Sequence, residues 1–344
     1  MSEDSRESST AQNVVLAQLR ADVKEIRGQL LALEKYVRNT SLTGRIRRIA
    51  ALVLGARLHE LVHHRPRPLR IPEHYHTPLP LENPPPISIC TPSFNQGHFL
   101  EATIRSVLDQ NYPALEYAVQ DGGSKDDSVA VMEKYRDRLV HIESRKDNGQ
   151  GHAINLGFAH ATKGEIMAYL NSDDLLLPGS LNYVAAFFRA NPDVDVVYGH
   201  RVVIDPDGKE VGRWILPAHS DQMLIWADYV PQETMFWRRS IWNKAGGRID
   251  DAFQFALDWD LLLRFREAGA KFVRLPRFLG AFRVHSSQKT SADIADTGTP
   301  EMNRLRARIH GGPTNLRDVR KHMSGYMLRN AGLNWLYWLG LYRP

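Results

Sequence analysis

From Ile87 onward, apolar runs of strand length alternate with stretches whose apolar residues recur at helical spacing. "ISICT" reads as a buried strand, and Leu100, Ile104, Val107 and Leu108 then return every three or four positions. "LEYAVQ" is a second strand ending at "DGGSKDDS", after which "VAVMEKYRDRL" is helical. "VHIES" is a third strand, a helix follows around "GHAINLGFAHA", and "EIMAYL" is a fourth strand that stops at Asn171, Ser172, Asp173 and Asp174. Strands alternating with helices predict an α/β fold with a doubly wound, mostly parallel sheet flanked by helices. In such sheets ligands bind outside the carboxyl ends of the strands. The polar clusters at 91–95, 121–128 and 171–174 each follow a strand, so the topology brings them to one edge.

The chain before Ile87 follows other periods. Leu16, Leu19, Val23, Ile26, Leu30, Leu33 and Val37 alternate spacings of three and four, the seam of a short coiled-coil appendage that predicts a homo-oligomer. Between Arg45 and Arg70 seven arginines accompany one acid, Glu60, around the apolar run "IAALVLGARLHELV". Such a segment suits an anionic membrane surface or a helix docked on the main domain. The proline-rich "HHRPRPLRIPEHYHTPLPLENPPP" ends helical structure, because proline lacks the amide donor. At the other end, "YMLRNAGLNWLYWLGLYRP" gathers Trp335, Tyr337, Trp338 and Tyr342, which fit either a lipid headgroup zone or a core-packed final helix. The expected division is 1–40 polar terminus and coiled coil, 41–86 basic segment and linker, 87–291 catalytic domain, and 292–344 helical extension.

Composition narrows the class. With 344 residues, 43% of them hydrophobic and 24% charged, the chain buries a core of domain size. Its single cysteine, Cys90, excludes an internal disulfide framework and a cysteine-rich zinc site. The polar start "MSEDSRESSTAQ" carries no secretory signal, and no run of about eighteen apolar residues is long enough to span a bilayer. The expected location is cytoplasmic, with peripheral contact at the inner face of the cell membrane. The formal charge of +5 is concentrated toward the ends.

Adjacent aspartates at a strand end repel one another, and capping of the helix near Pro178 is their simplest use. A second acidic turn, with Asp121, Asp126 and Asp127, converges on the same edge with no basic neighbour inside Asp173-Asp174 itself. Concentrated negative charge is costly unless a cation relieves it. Few hard oxygen ligands with room for water suit Mg²⁺ or Mn²⁺ bridged to a diphosphate.

These segments carry a resemblance. "SICTPSFNQGHFLEATIRSVLDQNYPALEYAVQDGGSKDDS" and "KDNGQGHAINLGFAHATKGEIMAYLNSDDLLLPGSL" resemble the family 2 glycosyltransferases of the GT-A, Rossmann-like fold. The likeness continues through "VPQETMFWRRSIWNKAGG", "LDWDLLLRFREAGA" and "FRVHSSQKTS", covering about 87–291. It implies inverting transfer of a sugar from a nucleotide diphosphate donor to an acceptor hydroxyl of a glycan or lipid-linked glycan, with a divalent metal on the diphosphate. It assigns Thr91, Pro92 and Phe94 to the nucleotide pocket, Asp121 to the base, Asp174 to the metal and Asp173 to the ribose or donor sugar. His152 and Asn155 are expected to approach the donor, and Gln232 with Glu233 to line the sugar side.

The resemblance also supplies a base. Inversion needs a carboxylate that accepts the acceptor's proton, and Asp258 in "LDWDLLLR" aligns with that residue, with Asp260 expected alongside the donor. Many relatives carry Glu just before this aspartate; here the position is Leu257. His285 matches a histidine that reaches the metal or diphosphate in some members. Trp226, Trp237 and Trp242 read as core. Two other readings use the same residues: a nucleotidyltransferase, which would release pyrophosphate, and a noncatalytic sugar-binding scaffold. Nucleic-acid binding does not account for the aspartate clusters, which repel phosphate backbones.

Overall fold

The structure is a computed structural model that describes residues 61–285 and 294–344. The coiled-coil seam and the arginines from Arg45 to Arg57 lie outside the described residues. No described helix is long and apolar enough to cross a membrane.

The seven residues of β1 (Ile87–Ser93) are all buried. A strand covered on both faces needs partners on both edges and helices above and below. β2 (Leu115–Asp121) lies parallel on one edge, β3 (His141–Ser144) continues parallel beyond it, and β4 (Ile166–Tyr169) lies parallel on the other edge. The remaining strands are β5 (Leu175–Leu176), β6 (Val196–Ile204), β7 (Glu210–Trp214), β8 (Phe236–Arg238) and β9 (Phe272–Arg283). The nine-stranded order is β3-β2-β1-β4-β8-β6-β9-β5, with β7 on β6. The parallel expectation holds for β3-β2-β1-β4, whereas the second half is mixed. There β8 runs antiparallel to both β4 and β6, and β5 runs antiparallel to β9. β6 and β7 must also be antiparallel, since the short turn closed by Asp205 N on Lys209 O leaves no room for a crossover.

Helices cover the parallel half. α1 (Gly97–Leu108) turns Leu100, Thr103, Ile104, Val107 and Leu108 inward at the predicted spacing. α2 is shorter than expected (Ser128–Glu133), and a 3-10 turn, Arg136–Arg138, takes up the rest of that segment. α3 (Gln150–His160) approaches β1 so closely that a Cβ on Gly157 would lie 2.2 Å from the Cys90 sulfur. α4 (Ser180–Ala190) follows β5.

The later helices are α5 (Asp221–Leu224), α6 (Arg239–Lys244), α7 (Leu257–Glu267), α8 (Thr299–His310) and α9 (Leu316–Trp338). Leu305 of α8 and Tyr326 of α9 share a core cluster with Trp237, Trp259 and Phe265. The C-terminal helices therefore belong to the domain's own core rather than extending from it. Trp226, Trp237 and Trp242 are buried, as expected. The proline-rich stretch is also docked: Arg67 bridges Glu210 on β7, and Tyr75 is 1% exposed.

Candidate functional site

The carboxyl ends of β1, β2 and β4 meet at one edge, where Ser93 pairs in register with Asp121 and the Leu170 amide donates to the Cys90 carbonyl. After β4 the chain turns through Asn171 to Asp174, whose amide returns to the Asn171 carbonyl at 3.1 Å. β5 then pairs with the end of β9, Leu175 opposite Ala281. That register sets the two aspartates against Arg283 and His285.

The pairing separates their roles. Asp174 is 1% exposed, and its Oδ1 accepts the Arg283 amide at 2.9 Å. Burial, then the charges of Asp173 and Glu233, push its carboxyl well above the usual range. The Asp173 side chain is 16% exposed, and its Oδ2 pairs with His285 Nε2 at 3.0 Å. The Arg283 guanidinium donates to the Asp173 carbonyl at 2.8 Å and fixes the turn. Asp174 thus anchors the turn through the Arg283 amide, while Asp173 pairs with His285.

Among the described residues no group of three or more His, Cys, Asp or Glu could hold a metal. A carboxylate oxygen and an imidazole nitrogen fit a hard divalent ion that takes its other ligands from phosphate and water. Their 3.0 Å separation matches the edge between neighbouring ligands about 2.1 Å from an octahedral ion.

The other expected residues divide. Phe94 is 60% exposed at the edge. Beside it a Cβ on Gly122 would lie 3.2 Å from the Phe94 ring and 3.1 Å from an Asp147 oxygen, so the ring and the carboxylate both close on this glycine. Thr91 and Pro92 lie inside the sheet, and the Thr91 hydroxyl pairs with Tyr117 OH at 2.8 Å. Asp121 is fully buried, and its carboxylate accepts from the Gly123 and Ser124 amides and from the Ser124 and Ser144 hydroxyls. These bonds build the turn that follows β2. His152 is half-buried at the start of α3, with Nδ1 accepting the Asn148 amide. Asn155 clamps the Ile249 backbone, at 2.9 Å to its carbonyl and 2.8 Å to its amide, and so does not reach a donor. Gln232 lies beneath the aspartate turn, linking the Tyr169 carbonyl to Asn171, which in turn receives Gln150.

Asp258 opens α7, its Oδ1 accepting the Trp259 amide at 2.8 Å. Burial pushes its carboxyl up to about 6, against the lowering pull of that amide and of Arg201. Asp260, two residues on, is fully buried on another face and bonded to Arg264 at 2.8 Å and Arg308 at 2.6 Å. It ties α7 to α8 and takes no part in the cleft, contrary to expectation.

Arg201 on β6 grips Glu233 with two hydrogen bonds, at 2.7 and 2.5 Å, both groups being buried. This pair acts electrostatically on both Asp174 and Asp258, which places the aspartate turn and the candidate base around one charged centre. Asp228 joins them: solvent reaches it, yet crowding by protein and then the charge of Asp258 raise its carboxyl. Arg201, Asp228 and Asp147 were not anticipated. A charge inside the otherwise apolar strand "VVYGHRVVI" was the available signal for Arg201.

The family model described as "Glycosyl transferase family 2" matches residues 88–248. An uncharacterized glycosyltransferase of Mycobacterium tuberculosis is 31% identical over 185 residues, covering 52% of this chain and 68% of that protein. The chain belongs to glycosyl transferase family 2. A chondroitin synthase of Pasteurella multocida is 28% identical over 236 residues, which are 66% of this chain and 24% of the synthase. The chain thus spans about a quarter of that synthase's length. Among solved structures, S. aureus TarS 1–349 in complex with UDP-GlcNAc superposes with a TM-score of 0.54 at 19% identity, over 70% of this chain and 71% of that one. The mannosyltransferase PcManGT from Pyrobaculum calidifontis, in complex with GDP-Man and Mn²⁺, gives 0.51 at 17% identity, over 86% and 82%. At these identities the likeness establishes a shared GT-A fold for this family 2 member.

Proposed function

We propose that this glycosyltransferase moves a sugar from a nucleoside diphosphate donor to an acceptor hydroxyl with inversion, in glycan synthesis. The observation that carries this reading is Asp258, a carboxylate raised to about 6 beside the Arg201–Glu233 pair that also acts on the aspartate turn. A base of that strength is charged near neutral pH and still accepts a proton readily. Asp258 takes the acceptor hydroxyl's proton as its oxygen bonds to the anomeric carbon. The bond from that carbon to the diphosphate oxygen breaks on the opposite face.

Asp173 and His285 would hold a divalent ion, Mn²⁺ or Mg²⁺, which when bound offsets the charge of the leaving diphosphate. The exposed Phe94 ring offers a stacking face for a flat base. His152, at the start of α3, would meet the donor's phosphates. The relatives named chondroitin synthase and hyaluronan synthase support a glycan as acceptor. The seam from Leu16 to Val37 supports a homo-oligomer; light scattering of the full chain against Leu19→Asp/Ile26→Asp tests it, and equal masses would refute it.

Incubation with a panel of nucleotide sugars, with and without Mn²⁺, tests the reaction. Release of nucleoside diphosphate is expected. Release of pyrophosphate instead would establish the nucleotidyltransferase reading.

A further inference from the structure

The last turns of α9 and the residues after it present an uncovered apolar surface. Leu336, Trp338, Leu339 and Leu341 are 45, 74, 56 and 73% exposed. The opposite face of the same helix is fixed in place. Tyr326 and Asn330 are buried, Asn330 Nδ2 donates to the Ile215 carbonyl at 2.6 Å, and Leu333 and Tyr337 pack on the cluster of Tyr75, Ile215 and Phe278. The helix therefore cannot rotate to hide its outer side, and an apolar patch this continuous marks an interaction surface.

Arginines gather around the patch, Arg67 and Arg213 being paired with the buried Glu210. Arg213 donates to the Tyr337 hydroxyl and to the Arg70 carbonyl, both at 2.9 Å, which joins the helix end to the strap at 61–72. Leu69 and Ile71 of that strap pack on the same cluster as Leu333, Tyr337 and Tyr342. Residues 61–72 contain Arg65, Arg67 and Arg70, residues 328–344 contain Arg329 and Arg343, and neither stretch has an Asp or Glu. Arg65, Arg67, Arg70 and Arg343 are exposed. In sequence the strap is preceded by Arg45, Arg47, Arg48 and Arg57.

A polyanion such as nucleic acid would satisfy the arginines and leave the tryptophans and leucines in water. The headgroup layer of an anionic bilayer takes both, since indole rings settle at that depth and guanidinium groups meet lipid phosphates. We propose that the C-terminal end of α9 and the arginine strap beside it dock on an anionic lipid surface. The contact goes beyond the proposed reaction, and its test does not depend on turnover.

The full chain is sedimented with phosphatidylcholine vesicles with and without phosphatidylglycerol. Binding to the anionic vesicles is expected, weakening as salt shortens the screening length from about 10 Å at 0.1 M to about 3 Å at 1 M. Trp338→Glu/Leu341→Glu should reduce binding about tenfold or more at an unchanged melting temperature. Arg65→Glu/Arg343→Glu should reduce it about fivefold for each charge removed. No binding by the wild-type chain overturns the proposal, as does equal binding by the Trp338→Glu/Leu341→Glu variant. A change of particle mass in that variant without any vesicle binding would instead make the patch a contact between copies of the chain.

Discussion

Asp173 Oδ2 and His285 Nε2 stand 3.0 Å apart although 112 residues separate them, because β5 pairs with the end of β9. The proposed ion would need donor phosphates beside these two groups, so metal and nucleotide should bind in linkage. Calorimetry should find that Mn²⁺ tightens nucleoside diphosphate binding in the wild-type chain. His285→Ala should remove most of that enhancement, with a loss of about tenfold or more. An unchanged metal dependence would remove this pair from the site.

Asp258 predicts the acid limb of the rate profile. Its carboxyl is pushed up to about 6. Below that pH it is protonated and unable to accept a proton; above it the base is charged. The logarithm of kcat/KM should therefore rise with pH by about one unit per pH unit and level off above about 6. A flat profile through that range would contradict the assignment.

The Arg201–Glu233 pair predicts a stability effect. Its side chains are 10% and 0% exposed, so removing one partner strands a buried charge. Arg201→Met should cost about 3–5 kcal/mol of unfolding free energy, and Arg201→Met/Glu233→Leu should recover much of that loss. Urea denaturation of both variants measures it.

Asp260 separates structural from catalytic roles on one helix. Asp260→Asn weakens charged hydrogen bonds to Arg264 and Arg308, each worth about 1.5–3 kcal/mol. It should lower the melting temperature while leaving donor affinity unchanged. A selective loss of affinity in a fully stable variant would return Asp260 to the site.

Much of this arrangement was legible in local pattern. The four parallel strands were readable because apolar runs and helical spacing report local burial, and their common edge follows from the βα alternation. Asp260 was misplaced although the signal existed: residues two apart on a helix lie on different faces. Which of Asp173 and Asp174 is the more buried was not legible, since it depends on a strand pairing with residues about a hundred positions away. Asn155 is similar, because its amide answers the Ile249 backbone and nothing in its own helix reports that partner. With Leu257 before it, Asp258 is held by the Trp259 amide.

The most direct test compares the wild-type chain with Asp258→Asn under saturating Mn²⁺, reading donor affinity by calorimetry and turnover by released nucleoside diphosphate. The account predicts donor binding close to wild type with turnover lower by about 10²–10⁴-fold. Turnover retained in a variant that binds donor normally would contradict it.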